Sequence, residues 1–406
     1  MQSPLFEKQI LLGVTGSIAC YKAADLASKL TQAGALVDTV LTSAAANFIS
    51  PLTFQSVTGR RAYTEEDFWG NTGHVIHIEL GKSADLVVIA PCTANTIAKL
   101  AHGIADNLLT VSALAASCPV LIAPAMDGGM YNHPATQSNI ELLIQRKGIV
   151  AGPVKGHLAS GMVGEGRMME PSQLVGRIRQ IFGQNGPLAG RKIVVTAGGT
   201  REPIDPVRSI TNRSSGKQGF ALAQAAIDLG AEVVLISGPT SLDTPVGVNR
   251  VDVETAEEMK NAVFTYIDGS DALLMAAAVA DFRPASQSVQ KIKKGGGIPE
   301  LTLVETPDIL GLIGEHRRNS GWMGVAVGFA AESQDLLINA RNKLSKKKLD
   351  LVVANDITAK DAGFGVDTNR VTFIFPDGRT EPLQLLSKDQ VAEEVLQRVL
   401  SLLMVE

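Results

Sequence analysis

The sequence has 406 residues with 39 Gly but only 12 Phe, 4 Tyr and 2 Trp, so its cores must be built from aliphatic side chains. With 45% hydrophobic and 19% charged residues it is neither disordered nor a coiled coil, and its length predicts two or three domains. The formal net charge of −4 excludes a global field that would recruit nucleic acid or an anionic membrane.

The N-terminal segment MQSPLFEKQ has no basic stretch before an apolar run, so we expect no secretion signal. The three cysteines, Cys20, Cys92 and Cys118, lack metal-ligand spacing and cannot all pair with one another. Free thiols in a reducing compartment are the simplest interpretation. Together these features predict a cytoplasmic protein.

The first predicted elements form a βαβ unit, with strands at Gln9–Val14 and Val37–Leu41 around a helix at Ala23–Leu30. The turn after the first strand contains Gly13, Gly16 and Ser17, but Thr15 replaces the second glycine of the dinucleotide-binding motif. Amides at the start of the next helix can still bind a phosphate. A monophosphate cofactor such as FMN therefore fits better than NAD, and an ordinary tight turn is the alternative.

Polar residues follow the next predicted strands of the first half. The segment 73–81 (GHVIHIELG) contains two of the six histidines, and one of them is either a general base or an ordinary surface histidine. Polar segments 91–95 (PCTAN) and 124–131 (PAMDGGMY) follow the apolar runs Asp85–Ala90 and Val120–Ala123. Because the carboxyl ends of parallel strands share one edge, these segments predict a site there.

Residues 107–126 lack charge over the length of a membrane span, but Pro119 and Pro124 interrupt them. A helix to about Ser117 and then a buried strand explains the segment better. Residues 159–168 (ASGMVGEGRM) are glycine-rich and predict either a mobile lid or a surface loop. Residues 183–190 (GQNGPLAG) are rich in turn formers, and we place the domain boundary there.

A second βαβ unit follows, with strands at Lys192–Thr196 and Glu232–Ser237 and a helix around Phe220–Leu229. A polar loop at 200–217 is inserted after its first strand, where open α/β sheets bind ligands. Its residues 214–217 (SSGK) do not form a P-loop, because neither the earlier glycine nor the following Ser or Thr is present. They remain a plausible anion cradle.

Further apolar runs at Ala272–Ala276 and Asp350–Ala354 extend the second sheet. We expect Asp281 to end a buried strand, with lysine clusters at 291–294 and 341–348 near other strand ends. Such lysines would offset the charge of a polyphosphate with Mg²⁺, although a solvated basic face is the usual explanation. The residues 389–403 predict a covering helix.

Long segments of the first half resemble the flavin-containing cysteine decarboxylases: GVTGSIACYKA, HIELGK, DLVVIAPCTANTIAKLAHGIADNLL, PAMDGGMY and SGMVGEGRM. Segments of the second half resemble phosphopantothenate–cysteine ligases: TAGGTREPIDPVRSITNRSSGKQGFALA, AAAVADFRP, KIKK and KLSKKKLDLVVAND. In this order they resemble the bifunctional phosphopantothenoylcysteine decarboxylase/phosphopantothenate–cysteine ligase family of coenzyme A biosynthesis.

The resemblance implies that the first half binds FMN and decarboxylates phosphopantothenoylcysteine to 4′-phosphopantetheine. His77 matches the family's active-site histidine. The FMN-binding positions would be Gly13, Gly16, Ser17, Thr42, Ser43, Pro91, Thr93 and Asn95. The substrate-binding positions would be Met126, Asp127, Met130 and Arg167.

Two residues of the first half depart from the family pattern. Asp127 stands where the family's substrate clamp usually has Asn, and a carboxylate repels a substrate carboxylate unless it is protonated or turned to donors. Ser160 stands where the family commonly has the Cys that protonates the product, and a hydroxyl is a far poorer acid than a thiol. We expect another donor, such as water or a relay through Ser160.

For the second half, the resemblance implies that CTP with Mg²⁺ activates 4′-phosphopantothenate as an acyl-cytidylate, which cysteine then attacks. Asn212 matches the residue that holds the acyl-cytidylate, and Lys291 matches the lysine needed to form it. The other nucleotide-contacting positions would be Asp281, Pro307, Asp308, Ile309, Phe329, Lys343 and Lys347. Few protein ligands are expected for the metal, because the triphosphate would carry it.

The sequence thus predicts an α/β protein of two doubly wound, Rossmann-like domains with mainly parallel sheets, a decarboxylase at 1–186 and a ligase at 187–406. Its expected partners are the small molecules 4′-phosphopantothenate, cysteine and CTP, with no nucleic acid or membrane, and the resemblance implies a homo-oligomer. Two alternatives are an active ligase with an impaired or regulatory flavin domain, and a nicotinamide-dependent oxidoreductase.

Overall fold

The computed structural model describes residues 3–69, 75–293, 300–332, 335–356 and 365–404. The chain divides between Ile181 and Phe182 into two compact units, called here the N-terminal and C-terminal units. Within the described residues, no helix combines the length and the apolar character needed to cross a bilayer.

The N-terminal unit is built on a six-stranded parallel sheet in the order β3-β2-β1-β4-β5-β6, with a separate hairpin of β7 and β8. Its strands are β1 (Gln9–Val14), β2 (Leu36–Leu41), β3 (Ala62–Tyr63), β4 (Leu86–Cys92), β5 (Val120–Pro124), β6 (Ile149–Val150), β7 (Val154–His157) and β8 (Val163–Arg167). Its helices are α1 (Cys20–Gln32), α2 (Ser43–Ala46), α3 (Pro51–Thr58), α4 (Glu65–Phe68), α5 (Ile76–Ser83), α6 (Ala94–His102), α7 (Leu108–Ala115), α8 (Gly128–Tyr131), α9 (Pro134–Gln145) and α10 (Pro171–Gly183).

The C-terminal unit is built on an eight-stranded sheet in the order β13-β12-β9-β14-β17-β18-β20-β21, in which only the last two pairings are antiparallel. Its strands are β9 (Lys192–Ala197), β10 (Arg201–Pro203), β11 (Ser209–Thr211), β12 (Glu232–Ser237), β13 (Asn249–Asp252), β14 (Ala272–Met275), β15 (Phe282–Pro284), β16 (Leu303–Glu305), β17 (Val325–Glu332), β18 (Leu351–Asp356), β19 (Thr368–Asn369), β20 (Val371–Ile374), β21 (Thr380–Pro382) and β22 (Leu386–Ser387). Its helices are α11 (Lys217–Asp228), α12 (Ala256–Ile267), α13 (Ile309–Ser320), α14 (Leu336–Lys347) and α15 (Lys388–Leu403).

The predicted fold class is confirmed, because both sheets are mainly parallel and carry helices between their strands. The central strand β4 is buried along its whole length, as expected for a strand covered on both faces. In the C-terminal unit, α11 and α15 pack on one face of the sheet, and α12, α13 and α14 pack on the other. Aliphatic side chains, mainly Val, Ala, Leu and Ile, fill these layers.

The uncharged segment 107–126 folds as α7 followed by β5, which agrees with a helix and then a buried strand. The expected lid or loop at 159–168 is instead the turn and second strand of the β7–β8 hairpin. The polar loop at 200–217 contains a second short hairpin, β10–β11, because Arg201–Pro203 pairs with Ser209–Thr211. Sequence periodicity did not indicate either hairpin.

The expectation that Asp281 ends a buried strand is wrong. The strand β14 ends at Met275, and Asp281 is exposed at the far end of the loop that follows it. The run of alanines between them is apolar enough to resemble strand. Its backbone instead turns toward the neighbouring loop, where Ala278 N–H donates to Gly198 O at 2.8 Å.

The helix α11 packs so closely on β9 that Gly219 has no room for a side chain. A Cβ at this position would lie 2.4 Å from Ala197 Cβ and 2.8 Å from Thr196 O, in the middle of the interface. We predict that Gly219→Ala destabilises the C-terminal unit by about 1–3 kcal/mol, because a well-packed core resists an extra methyl group. Hydrogen exchange followed by mass spectrometry should show faster exchange in α11 and β9.

The matched control is Gln224→Ala in the same helix, which removes only a bond of 2.9 Å from Gln224 to Asp228. Such a pair contributes roughly 0.2–0.5 kcal/mol. Equal exchange in the two variants would contradict the close packing at Gly219.

Candidate functional sites

Each sheet has one point where the strand order reverses and the loops after two adjacent strands diverge to opposite faces. In the N-terminal unit this point lies between β1 and β4, and in the C-terminal unit between β9 and β14. Open α/β sheets bind ligands in the crevice at this point. Both candidate sites lie there.

In the N-terminal unit, Thr15 bridges the two diverging loops. Its hydroxyl donates to Pro91 O at 2.7 Å and accepts the N–H of Thr93 at 3.0 Å, and the side chain is almost fully buried. Thr93 in turn caps α6, with its hydroxyl accepting Thr96 N–H. The structure therefore brings the predicted loop 13–17 and the predicted segment 91–95 together.

At the start of α1, Ser17 accepts two backbone N–H groups: its hydroxyl accepts that of Ala19 at 3.3 Å and its carbonyl accepts that of Cys20 at 3.0 Å. The N-cap residue, Ala19, offers no side-chain acceptor, whereas α2, α3 and α6 are capped by Thr or Ser hydroxyls. Gly16 sits so close to α2 that a Cβ there would lie 2.5 Å from Ala44 Cβ. Thr42 caps α2 at the same edge, so the predicted residues Gly16, Ser17, Thr42 and Ser43 share one neighbourhood.

His77 lies in the first turn of α5 and is half-buried. Its imidazole stands edge-on to the ring of Phe68, with 5.7 Å between ring centroids. The other histidine of this segment, at position 74, lies outside the described residues.

Asp127 and Ser160, the two departures from the family pattern, contact each other. The Ser160 hydroxyl donates to Asp127 Oδ2 at 2.7 Å, and the Gly129 N–H donates to Oδ1 at 3.0 Å. These bonds, first that of Ser160 and then that of Gly129, lower the pKa of Asp127 below its ordinary value. Asp127 is thus turned to donors as an ionised cap of α8, and the proton of Ser160 is directed to it.

The β7–β8 hairpin is docked on this turn. Met126 N–H donates to Gly166 O at 3.0 Å, and a Cβ on Gly166 would lie only 2.2 Å from Met126 O. Gly166 also has φ +138°, which side-chain-bearing residues rarely adopt. Met130, two residues into α8, is 52% exposed.

Sequence reasoning missed the buried Lys22. Its ammonium donates to Met168 O at 3.0 Å and to Glu170 Oε1 at 2.8 Å. The same carboxylate oxygen accepts Arg167 Nη2 at 2.7 Å, so Lys22 and Arg167 share one partner. The sequence did contain an indication that Lys22 has a specific role, because it is the only basic residue in the stretch GVTGSIACYKA.

The C-terminal unit holds a cavity of about 940 Å³ at the carboxyl edge of its sheet. It is lined by every predicted residue of the second half except Lys291: Asn212, Asp281, Pro307, Asp308, Ile309, Phe329, Lys343 and Lys347. Such a volume is within the range of small-molecule binding sites. Residues far apart in sequence therefore converge on one site.

Thr200 connects the two loops that leave this sheet where its strand order reverses. Its buried hydroxyl accepts the N–H of Ala280 at 2.9 Å, and its carbonyl accepts the hydroxyl of Thr211 at 2.8 Å. The amide of Asn212 then donates to Val279 O at 3.0 Å. Asn212 is held at the mouth of the cavity by these bonds.

Two of the lysines that line the cavity are the predicted residues of α14. Lys343 donates to Phe329 O at 2.7 Å, and Lys347 pairs with Asp308, the N-cap of α13. These lysines sit on the side of the sheet covered by α13 and α14.

Two further lysines line the cavity: Lys217 belongs to the predicted anion cradle 214–217, and Lys388 was not predicted from the sequence. Lys217 and Lys388 are the first residues of α11 and α15, and both line the cavity. Burial, and then the charge of Lys217, lowers the pKa of Lys388, while Asp367 opposes that effect. Gln218 joins the two helix starts by donating to Lys388 O at 3.1 Å. Lys388 was not predicted as a site residue because it adjoins the segment 389–403, which the sequence indicated only as a covering helix.

Lys291 is not among the residues that line the cavity. It is exposed, in the loop between β15 and β16, and the adjacent residues 294–299 lie outside the described part of the chain. In the described ranges, no group of at least three His, Cys, Asp or Glu side chains is arranged to hold a metal ion.

Comparison with known proteins identifies two family models in this chain. Residues 2–183 match the model described as Flavoprotein, and residues 188–403 match the DNA/pantothenate metabolism flavoprotein C-terminal domain. The chain is 48% identical to the Coenzyme A biosynthesis bifunctional protein CoaBC of Bacillus subtilis (strain 168), over 98% of each chain. It is 47% identical to the protein of the same name from Vibrio vulnificus (strain YJ016), again over 98% of each.

Among solved structures, the C-terminal domain of a Coenzyme A biosynthesis bifunctional protein CoaBC is similar to this chain at 39% sequence identity. The likeness has a TM-score of 0.47 and covers 54% of this chain and 100% of that one.

We predict that Thr15→Val destabilises the N-terminal unit by about 1–3 kcal/mol, because the Thr93 N–H is left buried without its acceptor. Thr15→Ser keeps the hydroxyl and should retain most of the stability. Urea denaturation followed by far-UV circular dichroism measures both. A Ser variant as unstable as the Val variant would show that the methyl group, rather than the hydroxyl, matters.

We predict that Ser160→Ala raises the pKa of Asp127, since the Ser160 hydroxyl is the largest cause of its lowering. A lowered pKa stabilises the folded state above the unfolded pKa, and this contribution is lost as the pH falls through the folded value. As the pH falls, the variant should therefore lose the stabilisation that ionised Asp127 provides at a higher pH than the wild type does. Carboxyl ¹³C NMR titration measures the pKa, and an unchanged value would contradict the bond.

Proposed function

The chain belongs to the family of bifunctional coenzyme A biosynthesis proteins CoaBC, and from that membership we propose which residues perform its two reactions. It is an enzyme with phosphopantothenoylcysteine decarboxylase and phosphopantothenate–cysteine ligase activities. The observation that carries the residue assignment is that each unit has its own strand-order reversal with predicted site residues around it. A nicotinamide-dependent oxidoreductase is disfavoured by the match to a flavoprotein model.

We assign the decarboxylase to residues 1–186 and the ligase to residues 187–406. The family matches at 2–183 and 188–403 support this assignment, as does the division between the two compact units. Each half then contains one complete, mainly parallel sheet.

The first half is a flavoprotein, and we propose FMN as its flavin. The N-terminus of α1, whose N-cap residue has no side-chain acceptor, and the close approach of Gly16 to α2 fit a phosphate monoester, because the helix dipole favours an anion there. Gly13, Gly16, Ser17, Thr42, Ser43, Pro91, Thr93 and Asn95 would hold the cofactor. When bound, the flavin supplies reversible two-electron chemistry at the cysteinyl group.

Within this half, His77 is the proposed general base. The docked hairpin and α8 would enclose the substrate, with Arg167 held in place by Glu170 and by the crossing of its side chain over Gly156. Met126, Asp127 and Met130 would contact the substrate, and Ser160 would act in a proton relay.

A second candidate is an active ligase joined to an impaired or regulatory flavin half. The bond between Ser160 and Asp127 favours it, because both oxygens of Asp127 already accept hydrogen bonds and the Ser160 proton is directed to a carboxylate. Neither residue, so arranged, donates a proton to a product.

In the second half, CTP would bind along Asp281, Pro307, Asp308, Ile309 and Phe329, with Lys343 and Lys347 near its phosphates. Asn212 would hold the acyl-cytidylate, and Lys291 would assist its formation. The cavity fits a polyphosphate because several lysines line it, among them Lys217, Lys343 and Lys347. We propose that Mg²⁺ enters with the triphosphate, since the described residues offer no cluster of metal-ligating side chains.

We also propose a homo-oligomer located in the cytoplasm. Large apolar side chains on the surface of the N-terminal unit support association between copies, among them Tyr21, Leu52 and Trp69. The three cysteines are free, which is consistent with a reducing compartment.

Two variants test the two-site assignment. With 4′-phosphopantothenate, cysteine, CTP and Mg²⁺, His77→Asn should abolish CO₂ release while pyrophosphate release continues. Asn212→Asp should abolish pyrophosphate release but still release CO₂ when phosphopantothenoylcysteine is supplied directly. Loss of both activities in either variant contradicts two independent sites. Wild-type protein that releases pyrophosphate without CO₂ supports the second candidate.

A further inference from the structure

Three threonine hydroxyls and one alanine are linked in a row of hydrogen bonds at the C-terminal site. The hydroxyl of Thr211 donates to Thr200 O at 2.8 Å, and the hydroxyl of Thr200 accepts the N–H of Ala280 at 2.9 Å. The hydroxyl of Thr306 then donates to Ala280 O at 2.5 Å. Both backbone polar groups of Ala280 are therefore bound to threonine hydroxyls from different loops. We call this row of bonds the threonine chain.

The two ends of the threonine chain lie beside residues with different proposed roles. Thr211 immediately precedes Asn212, which is proposed to hold the acyl-cytidylate. Thr306 immediately precedes Pro307 and Asp308, which are proposed to contact CTP. Asn212 and the residues from Thr306 to Asp308 line the same cavity. The chain therefore runs from the acyl end of this cavity to its nucleotide end.

The β15–β16 hairpin has a threonine beside each end of its ladder, and the two threonines differ. At one end, Ala285 N–H donates to Thr302 O at 2.9 Å, and Thr302 is exposed. At the end nearer β14, the N–H of the half-buried Thr306 donates to Asp281 O at 3.0 Å. Both bonds continue the backbone pairing of the hairpin. The additional bond from the Thr306 hydroxyl to Ala280 O is not needed for that pairing.

Thr306 also holds the end of the loop that carries Asp281. Earlier in this loop, Ala278 N–H donates to Gly198 O at 2.8 Å, which binds the loop to the segment after β9. The last two carbonyl groups of the loop, those of Ala280 and Asp281, accept the hydroxyl and the N–H of Thr306. Because a buried carbonyl that loses its donor is destabilised, we expect the end of the loop to move when the hydroxyl is removed.

We propose that Thr306 is a positioning residue for the ligase reaction, because its hydroxyl fixes the separation between the acyl end and the nucleotide end of the cavity. In the activation step, a carboxylate oxygen of 4′-phosphopantothenate forms a bond to the α-phosphorus of CTP. The bond from that phosphorus to the bridging oxygen breaks, and pyrophosphate leaves with the electron pair. The rate of such a step depends steeply on how the two reactants are placed. The proposal rests on the proposed roles of Asn212 and of the nucleotide-contacting residues.

Two substitutions at position 306 of the full-length protein separate the hydroxyl from the rest of the side chain. Thr306→Val replaces the hydroxyl by a methyl group of similar size, whereas Thr306→Ser keeps the hydroxyl and removes the methyl group. Thr302→Val is the matched control in the same hairpin. If Thr306→Val fails to fold, Thr211→Val interrupts the threonine chain at its other end and is judged by the same measurements.

Hydrogen exchange followed by mass spectrometry measures the hold on the loop without using activity. Exchange in the segment 276–281 should be roughly tenfold faster in Thr306→Val than in the wild type. The kcat of pyrophosphate release should fall roughly tenfold or more with the KM for CTP unchanged, since binding is retained and placement is lost. Thr306→Ser and Thr302→Val should resemble the wild type in both measurements. A purely structural role would lower stability but leave the kcat of the folded protein unchanged.

A folded Thr306→Val variant with the kcat or the loop exchange of the wild type overturns the proposal. A Thr306→Ser variant as slow as Thr306→Val also overturns it, because the hydroxyl would not be the cause. A loss confined to the KM for CTP overturns it too, since the hydroxyl would then serve binding rather than placement.

Asn212→Asp separates failure of this proposal from failure of the proposed function. If Asn212→Asp keeps full pyrophosphate release, the assigned ligase site is wrong. If it abolishes release while folded Thr306→Val does not slow it, only the role of Thr306 is wrong.

Discussion

Both candidate sites depend on a buried threonine hydroxyl that bridges two diverging loops. Where a parallel sheet reverses its strand order, the chain leaves adjacent strands in opposite directions, and the backbone groups between them lose their sheet partners. Thr15 satisfies the carbonyl of Pro91 and the N–H of Thr93, and Thr200 satisfies the N–H of Ala280. Each crevice therefore keeps its loops together without closing the space that a ligand occupies.

Much of the fold could be predicted from sequence because apolar runs and their flanking glycines are local signals. The strands β1, β4, β9 and β18 lie where those runs predict them, within a residue or two. The hairpins β7–β8 and β10–β11 were not predicted because strands of only 3–5 residues are too short to show a clear alternating pattern. The exposure of Asp281 was not predicted because the loop before it is held by a bond to the distant Gly198. Lys388 and Lys22 were missed for the same reason, because their roles depend on residues about 150 positions away or more.

Asp127 and Ser160 must be interpreted together, because their side chains are in contact. Taken singly, a carboxylate at 127 repels a substrate carboxylate, and a hydroxyl at 160 is a poor acid. Together they form a bond between the N-cap of α8 and the turn of the β7–β8 hairpin, and this bond lowers the pKa of the carboxyl group of Asp127. The hairpin is then held by a contact that a neutral amide and a thiol would make more weakly.

The six-stranded sheet ends on both sides in strands of only two residues, β3 and β6. An exposed strand edge is a template for pairing with another chain, and proteins commonly protect against this by making the edge short. Copies of the N-terminal unit thus have almost no backbone to share with one another through this sheet. An assembly that joins copies through this six-stranded sheet must therefore use side-chain contacts rather than a continuous intermolecular sheet, so its geometry is set by surface residues and is open to change by point substitution.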